Sequence, residues 1–307
     1  MKNKLTETRF KSAIGGIGHL FSKVAWFGAI VLICSSASAQ NLFVSAYVAG
    51  AGYIYKFTWD GVQSTFASGL SPGAMACDSG GNLFVAADYG TIYKYQPNGT
   101  RSVFASGLSG PTGLAFDSAG NLFVTNFSGG VPSPGTGTIY KFTPDGTQTT
   151  FATDLANPTS LAIDRSGNLF VADIGIGNET IFKFTPDGVR TSFASGVGGS
   201  QLSAACDSGG HLFMAVRGTG VVRQGQHGDG YIDKFTPTAV RSRFVSHLNG
   251  PLAVAIDNSD NLFVEDGAAI SSDETRYYPG AIYKFTPNGH QTAFAPGFDI
   301  GNSLAWH

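Results

Sequence analysis

The sequence contains little cysteine. Only Cys34, Cys77 and Cys206 occur among its 307 residues, whereas small secreted domains held together by disulfides carry a far larger share. A chain of this length can bury a large core without covalent cross-links. Cys77 and Cys206 occupy the same position of a repeated pattern, three copies apart, where other copies have Phe or Ile. We interpret both as buried apolar thiols, too distant from each other to form a disulfide.

The sequence also lacks helical periodicity and the common catalytic motifs. After residue 39 there is no run of apolar residues with a period near 3.6. There is no nucleophile elbow, no HExxH sequence and no glycine-rich phosphate loop that precedes a helix. These absences argue against an α/β-hydrolase, an HExxH metalloprotease and a P-loop nucleotide-binding protein.

The start of the chain has the pattern of an export signal. Basic residues precede an apolar run at 24–34, and Ala-Ser-Ala at 37–39 fits the small-x-small cleavage rule. The run is shorter than the roughly 20 residues that a membrane-spanning helix needs. We therefore predict that 1–39 is a signal peptide and that 40–307 is a periplasmic or secreted product with no membrane insertion. A lipid anchor at Cys34 is the alternative, although the isoleucine before it is bulkier than such signals require.

The residues after this leader carry a net negative charge. The leader contains five of the 19 basic residues and one of the 21 acidic residues. The remainder therefore has 14 basic and 20 acidic residues, a net charge of about −6. Nucleic acids and anionic membranes bind basic surfaces, so we expect neither as a partner.

One short pattern recurs through the rest of the chain. The pattern NLFV, or its variant HLFM, begins at Asn41, Asn82, Asn121, Asn168, His211 and Asn261. A spacing of about 40 to 50 residues is the period of a four-stranded propeller blade. Each copy has four short runs rich in Phe, Tyr, Ile, Val and Thr, bounded by Gly, Pro, Asp and Asn, as strands are. We therefore predict an all-β fold, a six-bladed β-propeller of four-stranded antiparallel blades.

The two ends of the chain predict how the ring closes. The first copy starts directly on its second strand, and SLAWH at 303–307 matches the first strand that this copy lacks. We expect the C-terminal strand to pair into the N-terminal blade, because closure removes exposed sheet edges.

Two kinds of recurring residue have structural interpretations. An Asp follows the first strand in five copies, at Asp78, Asp117, Asp164, Asp207 and Asp257. We interpret these side chains as caps of the turn, since the further oxygen ligands of a calcium loop are missing. Phe recurs at one position of every second strand and one of every fourth strand, and we interpret these rings as packing between neighbouring sheets, with a carbohydrate-stacking stripe as the alternative.

The repeat resembles a known superfamily. PTGLAFDSAGNLFVTN at 111–126 followed by TIYKFTPDG at 138–146 is similar to the NHL-repeat and gluconolactonase/regucalcin-like six-bladed propellers, and more loosely to virginiamycin B lyase. The lyase repeats carry Trp and Glu where this chain has Phe and mostly Ala, Asp or Asn. The resemblance implies the propeller fold more specifically than it implies an activity.

The lactonases of this superfamily bind one divalent ion at the top of the channel, through side chains at the start of the inner strands. The corresponding positions here are Gly73, Thr112, Thr159, Leu202, Leu252 and Asn302. Only Asn302 matches the ligand type, and a hard cation takes about six oxygen ligands. We therefore expect no metal and no cofactor, with a divalent cation such as calcium as the alternative.

The best candidate site lies in the loops between the second and third strands, which share one face of the propeller. These loops are longest and most charged in the fifth and sixth copies, where the charged stretch of the sixth begins at Glu265. The predicted ligand-binding residues are Arg217, Arg223, His227 and Asp229 in the fifth copy, and Asp266, Asp273, Glu274, Arg276 and Tyr277 in the sixth. The alternative is two long solvated loops with ordinary surface charge.

A second set of candidates surrounds the central channel. Asn126 and Asp173 end second strands, and Asn302 begins the last strand. We predict that these side chains line the channel rim and bind a cation or a sugar hydroxyl. The alternative for the residues that end second strands is that each caps the loop that follows.

Together these observations predict a monomeric exported binding module that recognises a protein, peptide or glycan through its top-face loops, without turnover. The alternative is a lactonase-like hydrolase or lyase with an atypical site in the channel, with or without a metal.

Overall fold

The computed structural model describes residues 40–48, 50–127, 135–175, 178–198, 202–218, 221–222, 228–267, 269–271, 277–278, 280–297 and 301–306. The predicted signal peptide lies outside this part of the chain. Among the residues described, no helix has the length and hydrophobicity needed to span a membrane.

Six four-stranded antiparallel sheets form the six blades of a propeller, which confirms the predicted fold. Blade 1 consists, from first to fourth strand, of β27 (Gly301–Trp306), β1 (Asn41–Val48), β2 (Ala51–Thr58) and β3 (Gln63–Ser68). Blade 2 consists, in the same order, of β4 (Pro72–Cys77), β5 (Leu83–Ala87), β6 (Thr91–Tyr95) and β7 (Arg101–Ala105). Blade 3 consists of β8 (Pro111–Phe116), β9 (Leu122–Phe127), β10 (Gly137–Phe142) and β11 (Gln148–Leu155). Blade 4 consists of β12 (Pro158–Ile163), β13 (Leu169–Gly175), β14 (Asn178–Phe184) and β15 (Arg190–Ser195). Blade 5 consists of β16 (Leu202–Cys206), β17 (Leu212–Val216), β19 (Gly230–Phe235) and β20 (Arg241–Leu248). Blade 6 consists of β21 (Pro251–Ile256), β22 (Leu262–Asp266), β25 (Ala281–Phe285) and β26 (Gln291–Pro296). A separate small sheet contains β18 (Val221–Val222), β23 (Ala269–Ser271) and β24 (Tyr277–Tyr278).

Blade 1 combines strands from the two ends of the chain. β27 pairs antiparallel with β1, so that Trp306 lies opposite Leu42 and Leu304 lies opposite Val44. The first strand of each blade contacts the first strands of both neighbouring blades. These six strands therefore surround the central channel, and the fourth strands form the rim of the disc.

The core lies between the blades and contains a continuous chain of aromatic contacts. In every blade the Phe of the second strand meets the Phe of the fourth strand edge-to-face, with ring centroids 4.9–5.1 Å apart. The fourth-strand Phe also packs on a third-strand ring of the next blade, at 5.7–6.2 Å. Phe294 against Phe57 continues this pattern from blade 6 to blade 1. The prediction that the recurring Phe residues pack between sheets is confirmed.

In blades 2 to 6 the Asp that follows the first strand caps its turn, as predicted. Asp117 Oδ1 accepts N–H bonds from Ala119 and Asn121 at 3.0 and 2.8 Å, and its Oδ2 accepts a bond from Asn121 Nδ2 at 2.7 Å. The same three bonds recur at Asp78, Asp164 and Asp257. In blade 5 a histidine replaces the asparagine, and its Nδ1 lies 2.9 Å from the Asp207 carboxylate. These caps make the face that carries the first turns regular.

The cysteine prediction is only partly correct. Both thiols are free, and Cys77 is buried. Cys206 is only partly buried, because it borders a cavity between the inner strands.

Candidate functional site

The long loops of blades 5 and 6 meet above the propeller. β18 lies in the loop that leaves β17, and it pairs in parallel with β23 in the loop that leaves β22. β23 in turn pairs antiparallel with β24, with Ala269 opposite Tyr278. We call this three-stranded unit the loop sheet. Backbone pairing across two blades fixes the two loops relative to each other, and the sequence contained no signal for this pairing because the strands are only two or three residues long.

The described part of the chain includes some of the predicted ligand-binding residues. Tyr277 lies in β24 of the loop sheet, and Arg217, Asp229 and Asp266 lie at the stems of the two loops. The remaining candidates lie outside the described residues: Arg223, His227, Asp273, Glu274 and Arg276. Their shared role in binding stays a prediction.

The stem of the blade 5 loop is closed by a tight approach of its two strands. Gly218 follows Arg217 with φ +66°, and a Cβ at this position would lie only 2.7 Å from the backbone carbon of Asp229. Only glycine allows this approach. Arg217 is partly buried here, and burial lowers the pKa of its guanidinium, which stays charged because an arginine pKa is so high. An exposed Asp229 and a half-buried Arg217 thus stand at the entry of the loop.

Asp266 at the base of the blade 6 loop is held by backbone amides. Its Oδ1 accepts an N–H bond from Gly250 at 2.8 Å, and its Oδ2 accepts one from Asn249 at 3.0 Å. The side chain is only 4% exposed. Burial raises the pKa of this carboxyl to about 6, although the two N–H donors act in the opposite direction. Asp266 therefore holds the connection between blades 5 and 6 and titrates near neutral pH.

Two of the predicted channel-rim residues have the same structural role. Asn126 Oδ1 accepts N–H bonds from Ser109 and Gly110, both at 3.1 Å. The carboxylate of Asp173 accepts N–H bonds from Ala156 and Asn157. Both side chains cap the connection that leads into their own blade, whereas the sequence interpretation placed the cap on the loop that follows. Strand alternation predicts which way such a side chain points, but not which segment it meets.

The positions that correspond to the lactonase metal ligands do not offer a set of free oxygens among the described residues. Thr112 donates its hydroxyl to Pro158 O of the next blade at 2.6 Å. Asn302 lies where the register of β27 on β1 shifts, between Gly301 and Ser303. The described residues contain no cluster of three or more His, Cys, Asp or Glu side chains that could hold a metal ion. The side chain of Asn302, the one residue of the ligand type, lies outside the described part of the structure, so calcium binding stays the alternative.

Glu265 begins the charged stretch of the sixth copy but was not among the predicted ligand-binding residues. Its side chain is 1% exposed, and within the described structure neither carboxyl oxygen has a hydrogen-bond partner. In β22, Val264 packs against the blade 5 side and Phe263 against the blade 1 side. Because side chains alternate along a strand, Glu265 shares the side of Phe263 and faces blade 1.

Burial, and to a lesser degree the neighbouring Asp266, raise the pKa of the Glu265 carboxyl well above its usual value. An unpaired carboxylate is costly in such an environment, so the protonated acid is favoured. The other blades have small or neutral residues at this position: Ser45, Ala86, Thr125, Ala172 and Ala215. A comparison of the six copies for a single charged residue at a buried position would have found Glu265.

The chain was compared with known proteins. No protein-family model matches it, and no curated protein sequence matches it. Solved structures do match. The calcium-binding protein regucalcin from Agrobacterium tumefaciens is 16% identical, with a TM-score of 0.56 over 76% of this chain and 87% of that chain. A gluconolactonase from Xanthomonas campestris is 18% identical, with a TM-score of 0.57 over 74% and 83%.

TolB from Acinetobacter baumannii is 13% identical, with a TM-score of 0.62 over 94% of this chain and 69% of that chain. At these identities the matches establish the fold, a six-bladed propeller like those of the regucalcin and gluconolactonase type. They assign no activity, since propellers support many unrelated functions.

Proposed function

We propose that this chain is an exported binding module that recognises a protein, peptide or glycan through the loops of blades 5 and 6. The observation that carries the proposal is the loop sheet. Loops on a rigid scaffold commonly bind ligands, and backbone pairing between β18 and β23 joins the described parts of the two loops before a ligand arrives. Such preorganisation reduces the entropy lost on binding. The proposal includes export through residues 1–39, a periplasmic or extracellular location, and a monomeric state.

Loop exchange tests this proposal. Residues 267–280 of purified 40–307 are replaced by Asp-Tyr-Gly, the short connection at 88–90 in blade 2. The matched control makes the same exchange at 128–136 in blade 3. Both variants and the parent are applied to glycan and peptide arrays. We expect the parent and the control to bind the same ligands and the blade 6 variant to lose them at an unchanged melting temperature. Equal binding by all three proteins would contradict the assignment to blade 6.

A lactonase-like hydrolase or lyase is the second candidate, and Glu265 is the observation that favours it. A buried carboxylic acid with a raised pKa keeps its proton to higher pH than an ordinary glutamate does, and a general acid needs such a proton. Asp266 beside it titrates at about 6. The test is hydrolysis of glucono-lactone by 40–307 with and without calcium, magnesium or zinc. Activity that Glu265→Gln abolishes would replace the binding module by an enzyme, and a stoichiometric metal in the purified protein would point the same way.

A further inference from the structure

A carboxyl group is buried at the place where the ring closes. β21 and β22 of blade 6 pack against β27 of blade 1, and we call this contact the closing seam. Glu265 in β22 faces the seam, because it shares the side of Phe263. Its side chain is 1% exposed, and within the described structure neither carboxyl oxygen has a hydrogen-bond partner. The seam therefore holds a polar group that no described residue solvates.

The neighbours of Glu265 within blade 6 are apolar. It lies opposite Ala253 of β21 and opposite Ile282 of β25, and both side chains are buried in the hydrophobic cluster that includes the seam. Asp266 follows Glu265 in the strand and points with Val264 toward blade 5. Its charge disfavours a second charge on Glu265, which raises the pKa of the Glu265 carboxyl further.

The other titratable groups on the strands around Glu265 are turned away or already paired. Lys284 of β25 stacks over the Phe263 ring at 5.4 Å and lies 3.9 Å from the Asp257 carboxylate. Tyr283 packs with the cluster on the blade 5 side, and Tyr47 of β1 is 43% exposed on the side away from blade 6. Residues 251–256 and 301–306 contain no Asp, Glu, Lys, Arg or His. An ionised Glu265 would thus meet no countercharge from these strands.

The closing seam differs from the other five in two respects. At the position of Glu265 the other blades have a small neutral residue: Ser45, Ala86, Thr125, Ala172 and Ala215. In blades 2 to 6 the first strand continues through a turn into the second strand, whereas β27 is joined to β1 by strand pairing alone. The one seam with a buried acid is therefore also the seam whose first strand is not tied to its own blade by a turn.

We propose that Glu265 makes closure of the ring dependent on pH. With a protonated Glu265 the seam is neutral, and β27 stays packed on blade 6 and paired with β1. Once Glu265 loses its proton, the charge is buried without a partner, which is costly. Release of β27 lets water reach the carboxylate and leaves the other five blades folded. This device does not depend on the function proposed for the loops of blades 5 and 6.

The direction of the effect follows from the two states of the seam. The closed seam raises the pKa of Glu265 well above 4.5, and the open seam restores this ordinary value. The closed ring is therefore most stable below pH 4.5 and loses stability as the pH rises toward the closed-state pKa. Within this window the ratio of open to closed rings should increase about 10-fold per pH unit.

Hydrogen exchange of residues 301–306 in purified 40–307 tests the proposal. Local opening of a strand appears as faster exchange of that strand alone. After correction for intrinsic amide rates, we expect the opening constant of 301–306 to increase with pH between 5 and 8. The other first strands should not change with it. Glu265→Gln removes the ionisable group and keeps the shape of the side chain, so its opening constant should be independent of pH. Asp266→Asn should retain the slope of the parent.

Trp306 gives a second measurement of the same event. In a Trp59→Phe variant of 40–307 it is the only tryptophan, and it pairs with Leu42 in the closed ring. Release of β27 should shift its emission to longer wavelength and increase its quenching by acrylamide as the pH rises.

The matched control moves the acid to another seam. Ala215→Glu combined with Glu265→Gln places a carboxyl at the same position between blades 5 and 6, and residues 301–306 should then show no dependence on pH. A parent whose 301–306 opening constant does not change with pH would overturn the proposal. A slope that persists in Glu265→Gln, or exchange of all six blades together with 301–306, would also overturn it.

Discussion

Replacement of Asp266 by Asn is expected to stabilise the folded protein above pH 6. The carboxyl pKa is about 6 in the folded state, against 3.8 for the unperturbed group. Between these two values the folded chain holds a proton that the unfolded chain has released. Stability therefore falls as the pH rises through this window, and the loss is complete above pH 6. The difference of about 2.2 pH units corresponds to about 3 kcal/mol at 1.36 kcal/mol per unit.

The substitution should remove this loss without removing the cap. Asn126 already shows, in blade 3, that an amide oxygen accepts both N–H bonds of the connection. Asp266→Asn should therefore unfold at higher urea concentration than the parent above pH 6. Below pH 3.8 the two proteins should be equally stable, since Asp266 is then protonated in both the folded and the unfolded parent.

Urea unfolding at a series of pH values between 3.5 and 8 measures this difference. Asp173→Asn is the matched control, because it makes the same chemical change at the same position of blade 4. We do not expect Asp173→Asn to stabilise the protein. The Asp173 carboxylate accepts three backbone N–H contacts, and such contacts are stronger to a charged acceptor than to a neutral amide. The reasoning fails if Asp266→Asn is less stable than the parent at pH 7, or if the difference between them does not change with pH.

Three further predictions concern stability. Glu265→Gln should raise the melting temperature at pH 8 and change it less near pH 4. The pKa of Glu265 is raised in the folded state, so folding is disfavoured at a pH where the carboxyl must ionise. A lower melting temperature of the variant at pH 8 would show that the folded protein stabilises the carboxylate. Ala239→Gly should add about 0.5–1 kcal/mol to the free energy of unfolding, since Ala239 has φ +66° where the same turn elsewhere has glycine. Gly188→Ala, at φ +90°, makes the reverse change and should lower the free energy of unfolding. Equal effects of the two substitutions on the free energy of unfolding would refute the role of φ. Deletion of 303–307 should lower the melting temperature strongly by exposing the edge of β1, and an unchanged value would refute closure by β27.

The fold was predictable because the same sequence pattern recurs in every blade. All six copies have Phe at two fixed positions and five have a capped Asp turn, so weak local patterns agree on one architecture. Features that occur once were not predictable in the same way. The loop sheet depends on very short strands in two different loops, and nothing in the sequence of either loop identifies its partner.

In the candidate site, too, contacts that occur only once could not be predicted from the sequence. The position of Asn126 at the end of its strand was clear from the sequence, but the connection that it caps became visible only with the neighbouring segment in place. Asp266 was predicted for its charge, and its raised pKa arises from burial that no local pattern reports. Glu265 differs from these two, since the other five copies already mark its position as buried.

The pairing of β27 with β1 has a consequence for the order of folding. Blade 1 joins residues 41–68 to residues 301–306, so the ring stays an open arc until almost the whole sequence has been synthesised. During synthesis β1 therefore keeps an unpaired edge, and the contact of Phe294 with Phe57 is made only after residue 294 has emerged. A growing chain of this kind cannot complete blade 1 until residues 301–306 have emerged and paired with β1.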